Sequence, residues 1–226
     1  MDKRKEKILF TIIKEHIKTG TPVGSTALVE KYKLDVSPAT VRNYMAELEE
    51  MGYIIQPHTS AGRIPTEIAY NLYIDNIEEK SLNEKELKVI KENLNNKDEQ
   101  SFKQTAKTIA SISDNAVFWA FHRHNLYYTG LSNLLHQPEF NHSNLIFDFS
   151  TVIDRLDEII NDIYDDFSDE PQILIGSKNP FGNFCGTVIT KYNLGEHDGL
   201  VGILGPMRMN YEKNMGIIKF LFNELR

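Results

Sequence analysis

The chain has 226 residues, of which 41% are apolar and 25% are charged, and its formal net charge is −7. This length suits one large or two small globular domains, and the composition argues against pervasive disorder. No apolar run approaches the roughly 20 residues that a membrane-spanning helix needs. With one cysteine, Cys185, an internal disulfide is excluded. Because the N-terminus lacks a leader-like apolar block, we expect a reducing, cytoplasmic location.

The negative charge lies in the second part of the chain. Residues 1–75 contain 10 Lys and Arg against 10 Asp and Glu, so the rest of the chain carries the whole excess of acid. Residues 36–46 contain no carboxylate, whereas Glu47, Glu49 and Glu50 follow directly. Acidic side chains at a helix C-terminus oppose the helix dipole. Glu47, Glu49 and Glu50 lie at the C-terminal end of the helix that is predicted after Ser37. We therefore interpret their placement as leaving the N-terminal end of that helix free for anions. The alternative is an ordinary solvated charge run.

Residues 1–77 are predicted to contain four helices. Apolar side chains recur at helical spacing from about Lys3 to Lys18, and Gly20 ends that pattern. Ser25 is predicted to cap a second helix that runs to about Tyr32.

The third helix is predicted to begin after Ser37, which caps it, with Pro38 at its first position. Gly52 is expected just beyond its last turn. Its inward face is expected to consist of Val41, Met45 and Leu48.

A short hairpin is predicted between the third and fourth helices. Residues 53–56 form the first strand, residues 59–62 the turn and residues 63–64 the returning strand, and Pro65 keeps the pairing short. Thr66 is predicted to cap the fourth helix, whose expected apolar positions are Ile68, Leu72, Tyr73 and Ile77. This order predicts a winged helix-turn-helix over residues 1–77, with a third helix that fits the DNA major groove.

The second part of the chain is predicted to be an α+β domain after a linker. Residues 78–104 are charged and poor in apolar anchors, which indicates a helical linker with one exposed helix. Residues 105–226 are predicted to form a regulatory or dimerisation domain with a mostly antiparallel sheet. The expected elements are a helix near 102–112, strands at 117–121 and 126–129, a helix over 151–167, strands at 172–175, 187–190 and 200–204, and a helix over 211–225.

Side chains of the third helix match known ways of contacting duplex DNA. Arg42 can donate two hydrogen bonds to guanine, and Asn43 can pair with adenine. Ala39 or the methyl group of Thr40 can meet a thymine methyl. Ser37 and the free N–H groups of the same helix end suit a phosphate oxygen.

The predicted turn offers two further candidates. Gly62 is expected to supply a backbone conformation that other residues resist, and Arg63 to reach a phosphate or the minor groove. The alternative for Arg63 is a surface salt bridge. The full set of candidate DNA-binding residues is Ser25, Ser37, Ala39, Thr40, Arg42, Asn43, Tyr44, Thr59, Ser60, Gly62 and Arg63.

Catalysis and metal binding find little support in the sequence. His122 and His124 would share one face of a strand, but further ligands at metal-site spacing are lacking. Cys185 has no basic neighbour that would lower its pKa, so we expect a thiol in the core. The sequence contains no phosphate-binding Gly-rich loop and no nucleophile elbow. We therefore expect a protein that is not an enzyme and that holds no metal or cofactor.

Four blocks of sequence resemble those of a known protein family. The first joins Pro22-Val23-Gly24-Ser25 to residues 36–52, and the second is Gln-Pro-His-Thr-Ser-Ala-Gly-Arg-Ile-Pro-Thr-Glu at residues 56–67. The third covers residues 130–140, and the fourth covers residues 202–211. Together these blocks resemble the heat-inducible transcription repressors of the HrcA family.

The resemblance implies a repressor that binds an inverted-repeat operator of chaperone genes as a homodimer, depends on the chaperonin and leaves DNA on heating. It also implies a GAF-like fold for the second domain. Family members carry a long additional stretch where this chain has only the polar turn 122–125, so we expect a reduced GAF-like domain. Tyr44 and Asn210 also differ from the family pattern, which usually has acidic residues at both positions.

Three other functions are weighed against this one. The chain could be a ligand-responsive winged-helix regulator with a small-molecule pocket in its C-terminal domain. It could also be an interaction module that uses the winged helix on protein, although the acid-free segment 36–46 argues against that. An enzyme would rest only on His122, His124 and the acidic runs.

Overall fold

A computed structural model describes residues 1–78, 80, 82–122, 125–141, 143–165, 167–194 and 197–226. The chain divides into two compact units, Met1–Ile77 and Glu78–Arg226. Helices and antiparallel sheet are both present, as expected of an α+β protein. None of the described helices combines the length and the apolar character needed to cross a membrane.

The first unit contains four helices and a hairpin in the predicted order. The helices are α1 (Lys3–Thr19), α2 (Ser25–Tyr32), α3 (Pro38–Glu50) and α4 (Glu67–Ile74), and the antiparallel hairpin consists of β1 (Ile54–Ile55) and β2 (Ile64–Pro65). Asp2, Ser37 and Thr66 cap α1, α3 and α4 with their side chains. The predicted caps at Ser37 and Thr66 are therefore confirmed.

Three predictions about the helices of this unit are wrong. Ile77 is not part of the fourth helix, since α4 ends at Ile74. Ser25 does not cap α2, because Gly24 occupies the cap position and no side chain accepts a hydrogen bond there. Ile68 does not face the core but is 58% exposed. Tyr73 is buried as predicted, and Tyr70, which was not among the predicted positions, is buried beside it.

The hairpin is fixed to the start of α2 by backbone hydrogen bonds. The N–H of Val23 donates to the carbonyl of Arg63 at 2.8 Å, and the N–H of Arg63 donates back at 2.9 Å. A Cβ atom on Gly62 would lie 2.5 Å from the carbonyl carbon of Val23. Gly62 is thus required for close approach and not, as expected, for a backbone conformation that other residues resist. The left-handed residue of the turn is Ser60, with φ 70°.

The second unit is built on one antiparallel sheet. Its strands are β3 (Ala116–His122), β4 (Asn125–Thr129), β5 (Gln172–Ile175), β6 (Cys185–Leu194) and β7 (His197–Pro206), in the order β4-β3-β7-β6-β5. Its α-helices are α5 (Glu84–Asn93), α6 (Glu99–Ser113), α7 (Leu131–Leu135), α8 (Ser143–Asp154), α9 (Leu156–Ile163) and α10 (Tyr211–Glu224). The predicted antiparallel sheet is confirmed.

Side chains alternate between the two faces of this sheet, and both faces are covered. Phe118 packs on one face in a core that also contains residues of α7, α8 and α9. On the other face, Trp119 stacks against Phe102 of α6 with ring centroids 4.8 Å apart, and α10 packs against β6. Cys185 lies in the first of these cores, where burial raises the pKa of its thiol.

The segment 78–104 differs from the exposed linker that we expected. It belongs to the second compact unit and contains α5 and the start of α6. Ile90 and Leu94 are buried, and α5 packs against α6. These few buried apolar side chains are enough to pack the charged segment into the unit. The number of charged residues alone therefore gave a wrong prediction of an exposed linker.

The prediction of a single helix over 151–167 is also wrong. Two helices occupy this region, and Arg155 separates them with φ −110° and ψ 15°, outside helical geometry. Phe149 of α8 and Ile160 of α9 both lie in the same core.

Two of the sequence blocks contact each other in this unit. Arg208, which is only 8% exposed, forms an ion pair with Glu139, with its Nη2 lying 2.9 Å from Oε2. The same guanidinium donates to Oε1 of Gln137 at 2.6 Å. Asn210 accepts a hydrogen bond from the N–H of Lys213 at 3.1 Å and so caps α10, a role that an aspartate also fills.

We predict that Arg208→Ala lowers the free energy of unfolding of the second unit by about 2 kcal/mol, because it leaves Glu139 without its buried partner. Arg155→Ala is the matched control, since its pair with Glu158 is exposed, and it should cost at most about 1 kcal/mol. Urea denaturation followed by fluorescence of Trp119, the one tryptophan, measures both. Equal losses for the two variants would contradict the prediction.

We also predict that Gly62→Ala lowers the free energy of unfolding of the first unit by about 2 kcal/mol, because the added methyl group collides with the backbone of Val23. Gly24→Ala is the matched control, since a Cβ there meets nothing within 4 Å. Its cost should stay below about 1 kcal/mol. Thermal unfolding followed by far-UV circular dichroism compares them, and a larger loss for Gly24→Ala would refute the steric explanation.

Candidate nucleic-acid interface

The α3 residues predicted to contact bases lie on or beside its solvent-facing side. Ala39, Arg42 and Asn43 are exposed, whereas Thr40 and Tyr44 are partly buried. The orientation of the helix is fixed by its opposite face, because the side chains there recur every three to four residues and are buried. These buried side chains are Val41, Met45 and Leu48, as predicted.

The N-terminal end of α3 is polar and free of acid. The hydroxyl of Ser37 accepts a hydrogen bond from the N–H of Thr40 at 3.1 Å, and the two hydroxyl oxygens lie 2.9 Å apart. The first turn contains no acidic residue. The partial positive charge of this helix end is therefore not offset by a carboxylate on its own first turn.

A cleft of about 560 Å³ lies between the start of α2, the middle of α3 and the turn of the hairpin. Among the described residues that line it, two are arginines and none is acidic. Five of the predicted residues meet here, namely Ser25, Arg42, Ser60, Gly62 and Arg63. The other six, which are Ser37, Ala39, Thr40, Asn43, Tyr44 and Thr59, do not line the cleft.

The N-terminus of α2 forms one wall of the cleft. The first N–H groups of a helix have no partner within the helix, and no side chain caps this one. Residues 24–27 all line the cleft. Ser25 is one of them, although it is only 8% exposed. A helix end of this kind is suited to bind an anion.

Arg63 lies on the wall formed by the hairpin and is held by Glu49. Its Nη2 and Nε lie 2.9 and 3.0 Å from Oε2 of Glu49. The other oxygen of this carboxylate accepts a hydrogen bond from the N–H of Gln56 at 3.1 Å. The salt bridge weighed as an alternative for Arg63 is therefore present, and it is made within the unit beside the cleft.

Glu49 and Gln56 are parts of this arrangement that the sequence did not reveal. The side-chain amide of Gln56 donates to the carbonyl of Ala61 at 3.0 Å and closes the turn. Glu49 belongs to the same acidic run as Glu47, but the two side chains make different contacts. Glu47 pairs with Lys5 of α1 at 2.5 Å. Arg63 lies 14 positions after Glu49, and no helical or strand spacing rule connects two residues so far apart.

The metal hypothesis gains no support from the part of the chain that the structure describes. No group of three or more His, Cys, Asp or Glu side chains there could hold a metal ion. Arg123 and His124 of the predicted polar turn lie outside the described residues.

Comparisons of this sequence with family models and with known proteins point to the same family. A family model described as the HrcA protein C-terminal domain matches residues 61–215. The heat-inducible transcription repressor HrcA of Desulforamulus reducens is 54% identical over 98 residues, which covers 43% of this chain and 28% of that protein. The repressor of the same name from Pelotomaculum thermopropionicum is 61% identical over 75 residues, covering 33% and 22%. These matches span less than a third of either relative.

A solved structure is similar over the whole chain. It is the crystal structure of a hypothetical protein at 2.2 Å resolution, with a TM-score of 0.75 and 18% identity, covering 100% of this chain and 97% of that chain. At this identity the likeness shows a shared fold alone. Because the family model matches well over half of the sequence, the chain belongs to the HrcA family.

Proposed function

We propose that this chain is a sequence-specific DNA-binding repressor of heat-shock genes, and that residues 1–77 are its winged helix-turn-helix. In this proposal α2 and α3 form the helix-turn-helix, and the hairpin of β1 and β2 is the wing. The observation that carries it is the cleft between α2, α3 and the hairpin, where the described lining residues include two arginines and no acidic residue.

The exposed side of α3 is proposed to read bases in the major groove. Arg42 would donate to the O6 and N7 atoms of guanine, and Asn43 would pair with the N6 and N7 atoms of adenine. Ala39 and the Thr40 methyl would contact a thymine methyl group. Tyr44, which is partly buried, would flank this surface and reach the backbone.

The cleft is proposed to hold one phosphate of the DNA backbone. The unpaired N–H groups at the start of α2 and the hydroxyl of Ser25 would donate from one side, and Arg63 from the other. Thr59 and Ser60, both exposed in the turn, would follow the backbone beyond the cleft. Contacts of this kind fix the register of the protein on DNA, whereas α3 supplies the specificity.

The biological part of the proposal rests on family membership and on the names of the relatives, which are heat-inducible transcription repressors. We infer an inverted-repeat operator of chaperone genes, release from it on heating, and a link to the chaperonin. An inverted repeat is matched by two copies of the protein related by two-fold symmetry, so the proposal includes a homodimer in the cytoplasm. Residues 105–226 would form the reduced GAF-like regulatory domain, without enzymatic activity.

The second unit contains several clefts that bear on the ligand-responsive alternative, and one of about 330 Å³ has aromatic walls. Phe102, Phe121 and Tyr192 contribute to its lining, together with Lys97 and Glu99. Charges of both signs at its edge select no particular class of ligand. DNA binding is therefore the function that the geometry supports better.

Two substitutions separate the proposed roles. Arg63→Ala should weaken binding to every duplex and lower the slope of log K against log salt by about one, because it removes one phosphate contact. Asn43→Ala should cost about 1–3 kcal/mol on the operator and little on a scrambled duplex, because it removes a base contact. Gel-shift titrations at several salt concentrations, before and after mild warming, measure both effects.

Arg155→Ala serves as the control, since it removes the same charge from the second unit. The proposal is wrong if neither Arg63→Ala nor Asn43→Ala changes duplex binding at moderate salt. It is also wrong if Arg155→Ala weakens binding as much as Arg63→Ala does.

A further inference from the structure

Glu49 occupies a place where its charge alone would oppose DNA binding. It lies in the last turn of α3, and a carboxylate close to DNA repels the phosphates. Its neighbours differ from it, because Glu47 pairs with Lys5 on α1 and Glu50 is exposed. Only Glu49 of these three contacts a residue that lines the cleft.

Both oxygens of the Glu49 carboxylate are used within the first unit. Oε1 accepts a hydrogen bond from the N–H of Gln56 at 3.1 Å, which ties the end of α3 to the residue that follows β1. Oε2 accepts from Nε and Nη2 of Arg63 at 3.0 and 2.9 Å. The carboxylate thus joins α3 to both sides of the hairpin, and the guanidinium lies against its negative charge.

The contact with Glu49 occupies one edge of the guanidinium and does not use its other N–H donors. A guanidinium carries five N–H donors in a rigid plane, and Glu49 contacts the edge formed by Nε and Nη2. Arg63 also lines the cleft with Ser25. An arginine held in this way can donate to a second anion without releasing the first.

The backbone of Arg63 is fixed as well. Its N–H and carbonyl are both hydrogen-bonded to Val23, so the position of its backbone does not depend on DNA. Its side chain is only 19% exposed. A long side chain that is already ordered loses less conformational entropy when it binds a phosphate than a free one does.

We propose that Glu49 is a positioning residue of the DNA interface, which holds Arg63 in the orientation that binds a backbone phosphate at the start of α2. This inference rests on the proposed DNA-binding function. Its consequence is that removal of a negative charge from the DNA-binding unit should weaken binding at this one position, against the direction that simple charge repulsion requires.

The test compares Glu49→Gln with Glu50→Gln in the full chain. The two variants make the same change of charge one residue apart on α3, and glutamine keeps an acceptor for the N–H of Gln56. We expect Glu49→Gln to weaken binding to the operator duplex about fivefold and to lower the salt slope, as Arg63→Ala does. Glu50→Gln should bind as well as the unmodified protein or more tightly.

A double-mutant cycle with Arg63→Ala shows whether Glu49 acts through Arg63. In the Arg63→Ala background, Glu49→Gln should cause no further weakening. Equal tightening by Glu49→Gln and Glu50→Gln would overturn the inference, since Glu49 would then only repel DNA. Weakening that persists in the Arg63→Ala background, with a matching fall in melting temperature, would overturn it in favour of a purely structural role.

The same experiment separates this inference from the proposed function. If Arg63→Ala weakens duplex binding and Glu49→Gln does not, the inference is wrong and DNA binding stands. If Arg63→Ala has no effect on any duplex, the proposed function falls and the role of Glu49 falls with it.

Discussion

The close approach of the hairpin turn to the start of α2 is the constraint on which the candidate interface depends. Two backbone hydrogen bonds join Val23 to Arg63, and they can form only because Gly62 has no side chain at a point where a Cβ would lie 2.5 Å from the backbone. This contact brings an uncapped helix end and an arginine into the lining of one cleft. Without it, the backbone of Arg63 would not be held beside the start of α2.

The distribution of acid in the first unit follows from the same arrangement. Residues 36–46 lack carboxylates, and two of the acidic residues that follow them make structural contacts. Glu47 attaches the end of α3 to α1, and Glu49 attaches it to the hairpin. These two carboxylates therefore hold the C-terminal end of α3 to its neighbours, while the first turn of α3 contains no acid that would oppose an anion.

Local features could be predicted from the sequence, and features made by distant contacts could not. The cap at Ser37 needs only the residues beside it, so it was predicted correctly. The need for Gly62 was recognised, but its cause was not, because Val23 lies far from it in the sequence. The pairing of Glu49 with Arg63 and the anchoring of α5 by Ile90 have the same origin. Hydrophobic periodicity reports which face is buried, but it does not report what covers that face.

The central claim is that the start of α2, the exposed side of α3 and the hairpin turn contact duplex DNA together. Amide hydrogen exchange of the full chain, with and without an inverted-repeat operator duplex, tests this most directly. The account predicts slower exchange on DNA binding at residues 24–27, 37–43 and 58–63, and less slowing with a scrambled duplex. Operator binding that leaves exchange at residues 24–27 and 58–63 unchanged, and slows exchange only in the second unit, would contradict the account.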